Sequence, residues 1–310
     1  MRVVAPASSA NLGPGYDVLS VALDGIQDVL EVQVERGSGV SIEVRGKHAE
    51  GVPEDPSRNS VGVAAAELMG AAGIRAHVHV VLYKEIPPSS GLGSSGAGAA
   101  GVVWALNRML DLGLGEGSLV EMAGRGERAA AGSVHYDNVA ASLLGWFEVV
   151  RPGSPPEVVT LRPPEGARIH LALAVPVGIR RRGKTREARE LVPREVPMDR
   201  VVWNSASLAM VVAGAALGIP QLLGAGMSDV IVEPARSRMI PGYSAVRRAA
   251  LESGALGVTI SGAGPSMIAV ADDPRVAGEV ARAMADAMRA EGVDAVPLTS
   301  RPGPGCREVP

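Results

Sequence analysis

Residues 87–98 read PPSSGLGSSGAG, a glycine- and serine-rich loop that runs straight into the apolar stretch AGAAGVVWALNRML at 97–110. Gly91, Gly93 and Gly96 let backbone N–H groups approach a ligand closely, and Ser94 and Ser95 offer hydroxyls. The stretch behind them supplies a helix whose N-terminal end carries unpaired N–H groups and the positive pole of the helix dipole. Such an end attracts an anion, and the phosphates of a nucleotide are the first candidate.

Two common phosphate motifs do not fit. Gly91, Gly93 and Gly96 match the G-x-G-x-x-G spacing of a dinucleotide fingerprint, with Asp111 about a helix further on, but that fingerprint requires its glycines directly after a strand. Here the strand AHVHVVLY ends near Tyr83, and KEIPPSS with two prolines intervenes. A P-loop is excluded because no Gly-Lys-Ser/Thr follows.

Two other segments decide between the remaining readings. Residues 6–23, PASSANLGPGYDVLSVAL, and residues 257–270, GVTISGAGPSMIAV, together with the serine-glycine loop resemble the three signature motifs of the GHMP kinases, in the same order and spacing. Within that superfamily the homoserine kinase family is the nearest resemblance. The first motif has its ASxANLGPGxD form, and residues 135–138, HYDN, repeat its substrate-side signature. TREARELVP at 185–193 and EPARSRMIPGY at 233–243 also resemble segments of that family.

The resemblance implies an α+β, two-domain GHMP kinase fold, with a ribosomal-S5-like N-terminal domain and a ferredoxin-like C-terminal domain around one active site. It implies phosphorylation of L-homoserine by ATP with Mg2+. The loop Pro88, Ser89, Ser90, Gly91, Leu92, Gly93, Ser94, Ser95 and Gly96 would bind ATP, with Asn59 at the adenine and Gly262 and Gly264 of the third motif packed beside the phosphates. Ser95 and Glu127, eight residues before His135, would hold the metal. Asn11 and Asp17 would face the amino-acid substrate, Asp17 being suited to an ammonium group. Asn138 would hold the hydroxyl, with His135 and Asp137 close by. Arg189 and Arg236 would clamp the carboxylate, since a guanidinium makes paired hydrogen bonds to such a group. Taken alone, each residue has a plainer reading: Asn11 and Asp17 as turn formers, Glu127 as a solvated helix charge, the arginines as surface ion pairs. Either Asp137 assists the attack or the hydroxyl loses its proton late without a base.

Composition narrows the classes. A chain of 310 residues is long for one core, and a proline cluster in RPGSPPEVVTLRPPEG marks a linker, giving expected domains at 1–152 and 153–310. The net charge of −3 and the 3% aromatic content speak against nucleic acid. Cationic side chains are dense only in GIRRRGKTREAR at 178–189, which could meet an anionic ligand. Lys47, Lys84 and Lys184 are the only lysines, and none lies inside a phosphate motif. Cys306 is the only cysteine, so no intramolecular disulfide forms, which suits a reducing cytoplasm. The apolar run at 205–223 reads as a buried helix rather than a membrane span. His77 and His79 share a strand face and read as structural. A cytoplasmic homodimer, free of nucleic acid and membrane, is the expectation.

Within the strand pattern, VLEVQVE (29–35) and VSIEVRG (40–46) alternate across Gly-Ser-Gly as a hairpin would, and GVTISGAG-PSMIAVA reads as a strand running through the third motif. Other readings are kept open. Another small-molecule GHMP kinase acting on shikimate or mevalonate competes with the first, although mevalonate has no ammonium for Asp17. A non-catalytic binding protein of the same fold is disfavoured by the intact Ser95 and Glu127.

Overall fold

The computed structural model describes residues 1–131, 134–178 and 184–310. Its first half runs β1 (Arg2–Asn11), β2 (Gly15–Glu35), β3 (Gly39–Arg45), α1 (Ser60–Ala71), β4 (His77–Tyr83), α2 (Ser94–Met109), α3 (Glu116–Ala131), α4 (Tyr136–Leu144), β5 (Phe147–Arg151) and β6 (Glu157–Leu161). The second half runs β7 (His170–Pro176), α5 (Lys184–Glu190), α6 (Met198–Leu217), α7 (Pro220–Gly226), α8 (Val232–Arg236), α9 (Tyr243–Glu252), β8 (Gly257–Ile260), β9 (Met267–Ala271), α10 (Pro274–Ala290), β10 (Ala295–Ser300) and β11 (Arg307–Glu308).

A seven-stranded sheet orders β11-β1-β2-β4-β3, with β5 paired to β2 and β6 to β5. A four-stranded sheet orders β10-β7-β9-β8. This is the expected α+β class. The hairpin expected between residues 29–35 and 40–46 does not form: β4 lies between the two strands, antiparallel to β2 and parallel to β3. Alternation identifies strands and their buried faces but leaves their partners open. The expected domain boundary at 152 falls on the turn of the β5–β6 hairpin, both strands of which belong to the first sheet. Sheet membership divides the chain between Leu161 and His170, and β11 then returns to β1.

Helix α2 is central to the first unit. Its small residues let it sit against the sheet and α1 at once: a Cβ added at Gly101 would meet Leu30 at 2.7 Å, and one at Gly98 would meet Val61 at 2.8 Å. Phe147 is fully buried, and the surrounding core is otherwise built from Val, Leu, Ile, Ala and Met with Cys306. In the second unit α10 is capped by Asp273, which accepts from the Arg275 N–H at 2.8 Å, and has Pro274 at its first turn. Its Ala277, Val280, Ala281, Met284, Ala285 and Met288 recur at helical spacing and are buried against the four-stranded sheet.

The reading of 205–223 as a buried helix is corrected. Helix α6 ends at Leu217, Gly218 takes a left-handed φ of 69°, and Pro220 opens α7. Only Ser207, Val211, Gly214 and Ala215 of α6 are buried. The helix is long and apolar enough to cross a membrane by length and composition alone. It is fastened to the protein through Asn204, whose side chain pairs with Asp229 at 2.7 Å and accepts from the Val230 N–H at 3.0 Å. The third motif, read as one strand, is two: residues 261–266 turn between β8 and β9, closed by Ser261 N–H donating to the Ser266 carbonyl at 2.9 Å. His77 Nε2 and His79 Nδ1 each lie 2.9 Å from the Ser41 hydroxyl, a structural arrangement.

Candidate active site

A cleft of about 550 Å³ lies where the three motifs meet. Helix α2 starts behind Gly93, which has a left-handed φ of 63° and provides no side-chain cap, so the first N–H groups of the helix lack a capping side chain. Gly91, with φ 91°, packs on the third motif so closely that a Cβ would collide with the carbonyl oxygens of Ser261 and Gly264. At Gly93 a Cβ would collide with the Ser8 hydroxyl. The Ser261 hydroxyl donates to the Gly91 carbonyl at 2.8 Å, and the Ser266 N–H donates to the Ser90 carbonyl at 3.1 Å. Three sequence-distant glycine segments are therefore one packed structure. Asn11, Asp17 and Ser89 line the cleft with φ values of 74°, 56° and 59°. Asn and Asp tolerate this region better than most residues, and its occurrence at three cleft positions marks stored strain.

Pro88, Ser89, Gly91, Gly93, Ser94 and Ser95 all line the cleft. Further contacts support the loop from behind. Leu92 is fully buried in the core, the Ser90 hydroxyl donates to the Pro87 carbonyl at 2.7 Å, and Ser94 donates to the Ile86 carbonyl at 3.0 Å. Gly96 has only ordinary contacts around a notional Cβ, the nearest being Val139 at 3.5 Å, so packing does not demand glycine there. Gly262 lines the cleft, whereas Gly264 sits beneath it against Ile240. Asn59 also lines the cleft, but its side chain caps α1, accepting from Val61 N–H at 3.0 Å and donating to the Pro53 carbonyl at 2.6 Å.

Glu127 projects from α3 into the same cleft and is 4% exposed. Ser95 hydrogen-bonds its carboxyl, while Oε1 is buried with no hydrogen-bond partner among the described residues. Burial pushes this carboxyl up to about 7, against the opposing effects of Ser95 and Lys84. An unpaired buried carboxylate oxygen beside a hydroxyl is a hard-oxygen donor set, and it fits Mg2+.

Lys84, which lies in none of the motifs, also belongs to this site. It is 3% exposed, pairs with the fully buried Asp28, and donates to the Ser94 carbonyl at 2.8 Å. Asp28 Oδ1 in turn accepts from the N–H groups of Glu85 and Ile86 at 2.8 and 2.9 Å. The ion pair thus braces the phosphate loop from strand β2. Its sequence signal was faint: Asp28 in a strand and a lysine just after another.

At the other end of the cleft, Asn138 Oδ1 accepts from the Ser8 hydroxyl at 3.0 Å, and the Asn138 N–H donates to Asp137 at 2.9 Å. Burial, with Asp17 nearby, pushes the Asp137 carboxyl up to about 7. Burial and Arg189 push the His135 imidazole below its ordinary pKa, favouring the neutral ring. Asn11 donates to the Gly262 carbonyl at 2.9 Å, and its Oδ1 accepts from the Asp17 N–H at 3.3 Å. Arg236, 5% exposed, donates from Nε to the Ala188 carbonyl at 3.0 Å. Arg189 forks onto Asp17, with Nη1 and Nη2 at 2.9 and 3.1 Å from its two carboxylate oxygens. The expected site residues are therefore collected around one cleft, with Arg189 already paired to the residue expected to meet the ammonium. Of the basic run at 178–189, residues 179–183 lie outside the described residues.

Residues 59–146 match the family described as GHMP kinases N terminal domain, and residues 213–290 match GHMP kinases C terminal. A homoserine kinase of Halorubrum lacusprofundi is 43% identical over 98% of this chain and 98% of its own length. One of Aeropyrum pernix is 44% identical over 91% of this chain and 90% of its own. The chain belongs to the homoserine kinase family of GHMP kinases. A crystal structure of homoserine kinase from Cytophaga hutchinsonii superposes with a TM-score of 0.90 at 33% identity, covering 99% of this chain and 96% of that one. A mevalonate kinase from L. major, 15% identical with a TM-score of 0.71 over 98% of this chain and 97% of its own, shares the fold.

This homoserine kinase family member also carries a buried carboxyl away from the cleft. Glu148 is fully buried on β5, accepts from the Thr160 hydroxyl at 2.8 Å, and leaves Oε2 without a hydrogen-bond partner among the described residues. Burial pushes its carboxyl up to about 8. A carboxyl raised on folding stabilises fully below its unfolded pKa and loses that contribution as pH rises through the folded value. Between about pH 5 and 8 the slope is about 1.4 kcal/mol per pH unit for each such group. Melting temperature should therefore fall as pH is raised from 6 to 9, and Glu148→Gln should flatten the curve. Parallel curves for the two proteins would show that Glu148 does not titrate there.

Proposed function

We propose that the protein transfers the γ-phosphoryl group of ATP to the hydroxyl of L-homoserine, giving O-phospho-L-homoserine and ADP, a step toward threonine. One observation carries this reading: a single cleft is lined by a capless helix N-terminus with the Ser95–Glu127 oxygen pair and also by the opposite charges of Asp17 and Arg236. The loop 88–95 and the start of α2 hold the phosphates by N–H groups and dipole, with Asn59 on the nucleotide side. Ser95 and Glu127 would hold Mg2+, which when bound neutralises phosphate charge. Phosphoryl transfer needs positioning and electrostatics more than covalent help. Asn11, Asp17 and His135 face the substrate, and Asn138 holds its hydroxyl. Asp137 is the adjacent carboxyl able to take the proton, and its raised pKa suits that task near neutral pH. Arg189 and Arg236 take the carboxylate, Arg189 after exchanging its hold on Asp17 for the substrate.

The test is ADP release with MgATP and a panel of alcohols. L-homoserine should far exceed mevalonate, galactose and shikimate, and equal turnover of any of the three would sink the assignment. Arg236→Ala should raise the KM for homoserine about 10- to 100-fold with little change for ATP. Homoserinol, which lacks the carboxylate, should be nearly indifferent to that change. Equal losses for both alcohols would remove Arg236 from the clamp.

For assembly we propose a homodimer closed over the outer face of α6. Met198, Val202 and Trp203 there are 73%, 62% and 54% exposed, three large apolar side chains left uncovered within one short stretch of helix, and exposed apolar surface of this kind marks an interface. Light scattering should give twice the 31.7 kDa chain mass for the wild type and the single mass for Val202→Asp. A monomeric wild type would overturn the dimer.

A further inference from the structure

Tyr16 stands between the glycine turn of the first motif and Asp17, and no role considered so far uses it. Its ring receives two cations. The Arg236 guanidinium carbon lies 4.8 Å from the ring centroid, and that of Arg189 lies 5.7 Å away. Both are within reach of the negative face of an aromatic ring.

Two guanidinium groups gathered at one ring repel each other, so something must hold them there. For Arg189 the Asp17 carboxylate does so through the fork described above. Arg236 has neutral partners in its hydrogen bonds, the Ala188 carbonyl at 3.0 Å, the Gly262 carbonyl at 3.4 Å and the Tyr16 hydroxyl, and feels the Asp17 carboxylate only at longer range. Asp17 also attracts both, but the Tyr16 ring is the group in contact with both arginines. Arg189 Nε is buried with no hydrogen-bond partner among the described residues, so this guanidinium retains a donor that Asp17 does not use.

A zwitterion entering this site presents its ammonium to Asp17 and so competes with Arg189 for that carboxylate. Once displaced, Arg189 keeps the ring of Tyr16 and the long contact of Nη2 with His135 Nδ1 at 3.4 Å. Resting on the reading of this cleft as a homoserine site, we propose that Tyr16 is a positioning residue. Its ring keeps Arg189 and Arg236 side by side while the substrate ammonium takes over Asp17, so that the pair meets the carboxylate as one bidentate-capable surface. Tyr16 touches the arginines rather than the reacting atoms, and its effect is on recognition of the carboxylate.

The experiment measures kcat and KM for homoserine, homoserinol and ATP in Tyr16→Phe, Tyr16→Leu and Tyr16→Met. Leu and Met remove the ring while filling its space, and either suffices if the other does not fold. Both should raise the KM for homoserine about tenfold, leaving kcat, the KM for ATP and the KM for homoserinol within about threefold of wild type. Tyr16→Phe keeps the ring and loses only the hydroxyl's hydrogen bond to Arg236, so it should lose clearly less than Leu or Met. In an Arg236→Ala background, Tyr16→Leu should cost clearly less than it does alone, because the two changes remove one shared interaction. Equal losses for homoserine and homoserinol, strict additivity with Arg236→Ala, or a Phe variant as poor as Leu would each overturn the proposal. If the wild type itself fails to prefer homoserine over homoserinol, the substrate reading falls. If that preference and the Arg236→Ala effect stand while Tyr16→Leu is neutral, Tyr16 alone is dismissed.

Discussion

Glu127→Gln is expected to lower kcat about 100-fold or more while the KM for L-homoserine stays within about threefold, the scale seen when a charge-stabilising group is lost. Glutamine has the same shape, so the packing of α3 is retained and the Ser95 hydroxyl keeps a neighbouring oxygen. What changes is the donor set. The buried Oε1 has no hydrogen-bond partner among the described residues, and in the variant a neutral amide stands where a carboxylate met the cleft. An amide is a poorer magnesium ligand, so the Mg2+ concentration for half-maximal rate should also rise. Titrating Mg2+ at fixed ATP checks both expectations. A variant with near-normal kcat at limiting Mg2+ would show that Glu127 is not a ligand.

Lys84→Met should destabilise the protein by about 3 to 5 kcal/mol, the usual cost of leaving one member of a buried ion pair alone. Asp28 is fully buried, and Lys84 is its cation. Melting temperature should fall by roughly 10 °C. The double variant Lys84→Met/Asp28→Asn should recover much of the loss, because replacing both partners removes the stranded charge. Denaturant unfolding of the two variants decides the matter. If the double variant is no more stable than the single one, the penalty lies in lost support for the Ser94 carbonyl rather than in Asp28.

Motif residues in this chain were legible because glycine and short polar side chains answer to geometry that admits little else. Gly91 and Gly93 could be read from the sequence, since each sits where a side chain would strike another segment of the site. Gly96 looked equivalent by spacing, yet nothing near it requires glycine. Strand periodicity located residues 29–35 and 40–45 but could not reveal that β4, from residues 77–83, inserts between them. The prolines at 152–156 looked like a linker because a hairpin turn uses the same residues. The composition of α6 is that of a buried helix, but an apolar helix on the surface has the same composition. No motif marks Lys84 or Tyr16, because their importance lies in partners 56 and 173 or more residues away: Asp28 for the first, Arg189 and Arg236 for the second.

The path of residues 301–308 has a consequence for how such a chain can be made. After completing β10 the backbone crosses back to the first unit. There the Asp24 N–H donates to the Arg301 carbonyl at 3.0 Å, the Cys306 N–H to the Leu143 carbonyl at 3.1 Å, and β11 joins β1. A ribosome delivering this polypeptide from its N-terminus would have finished β6 about 145 residues before the last partner of β1 emerged. The nascent first unit would have to wait with an edge of β1 uncovered, a situation that invites wrong pairing. Neither unit is a bead that one cut could release; excising the second would take two cuts, one on each side of it. Joining the units by two crossings also places a restraint on any opening and closing between them, much as a second hinge pin turns a swinging gate into one with a single axis.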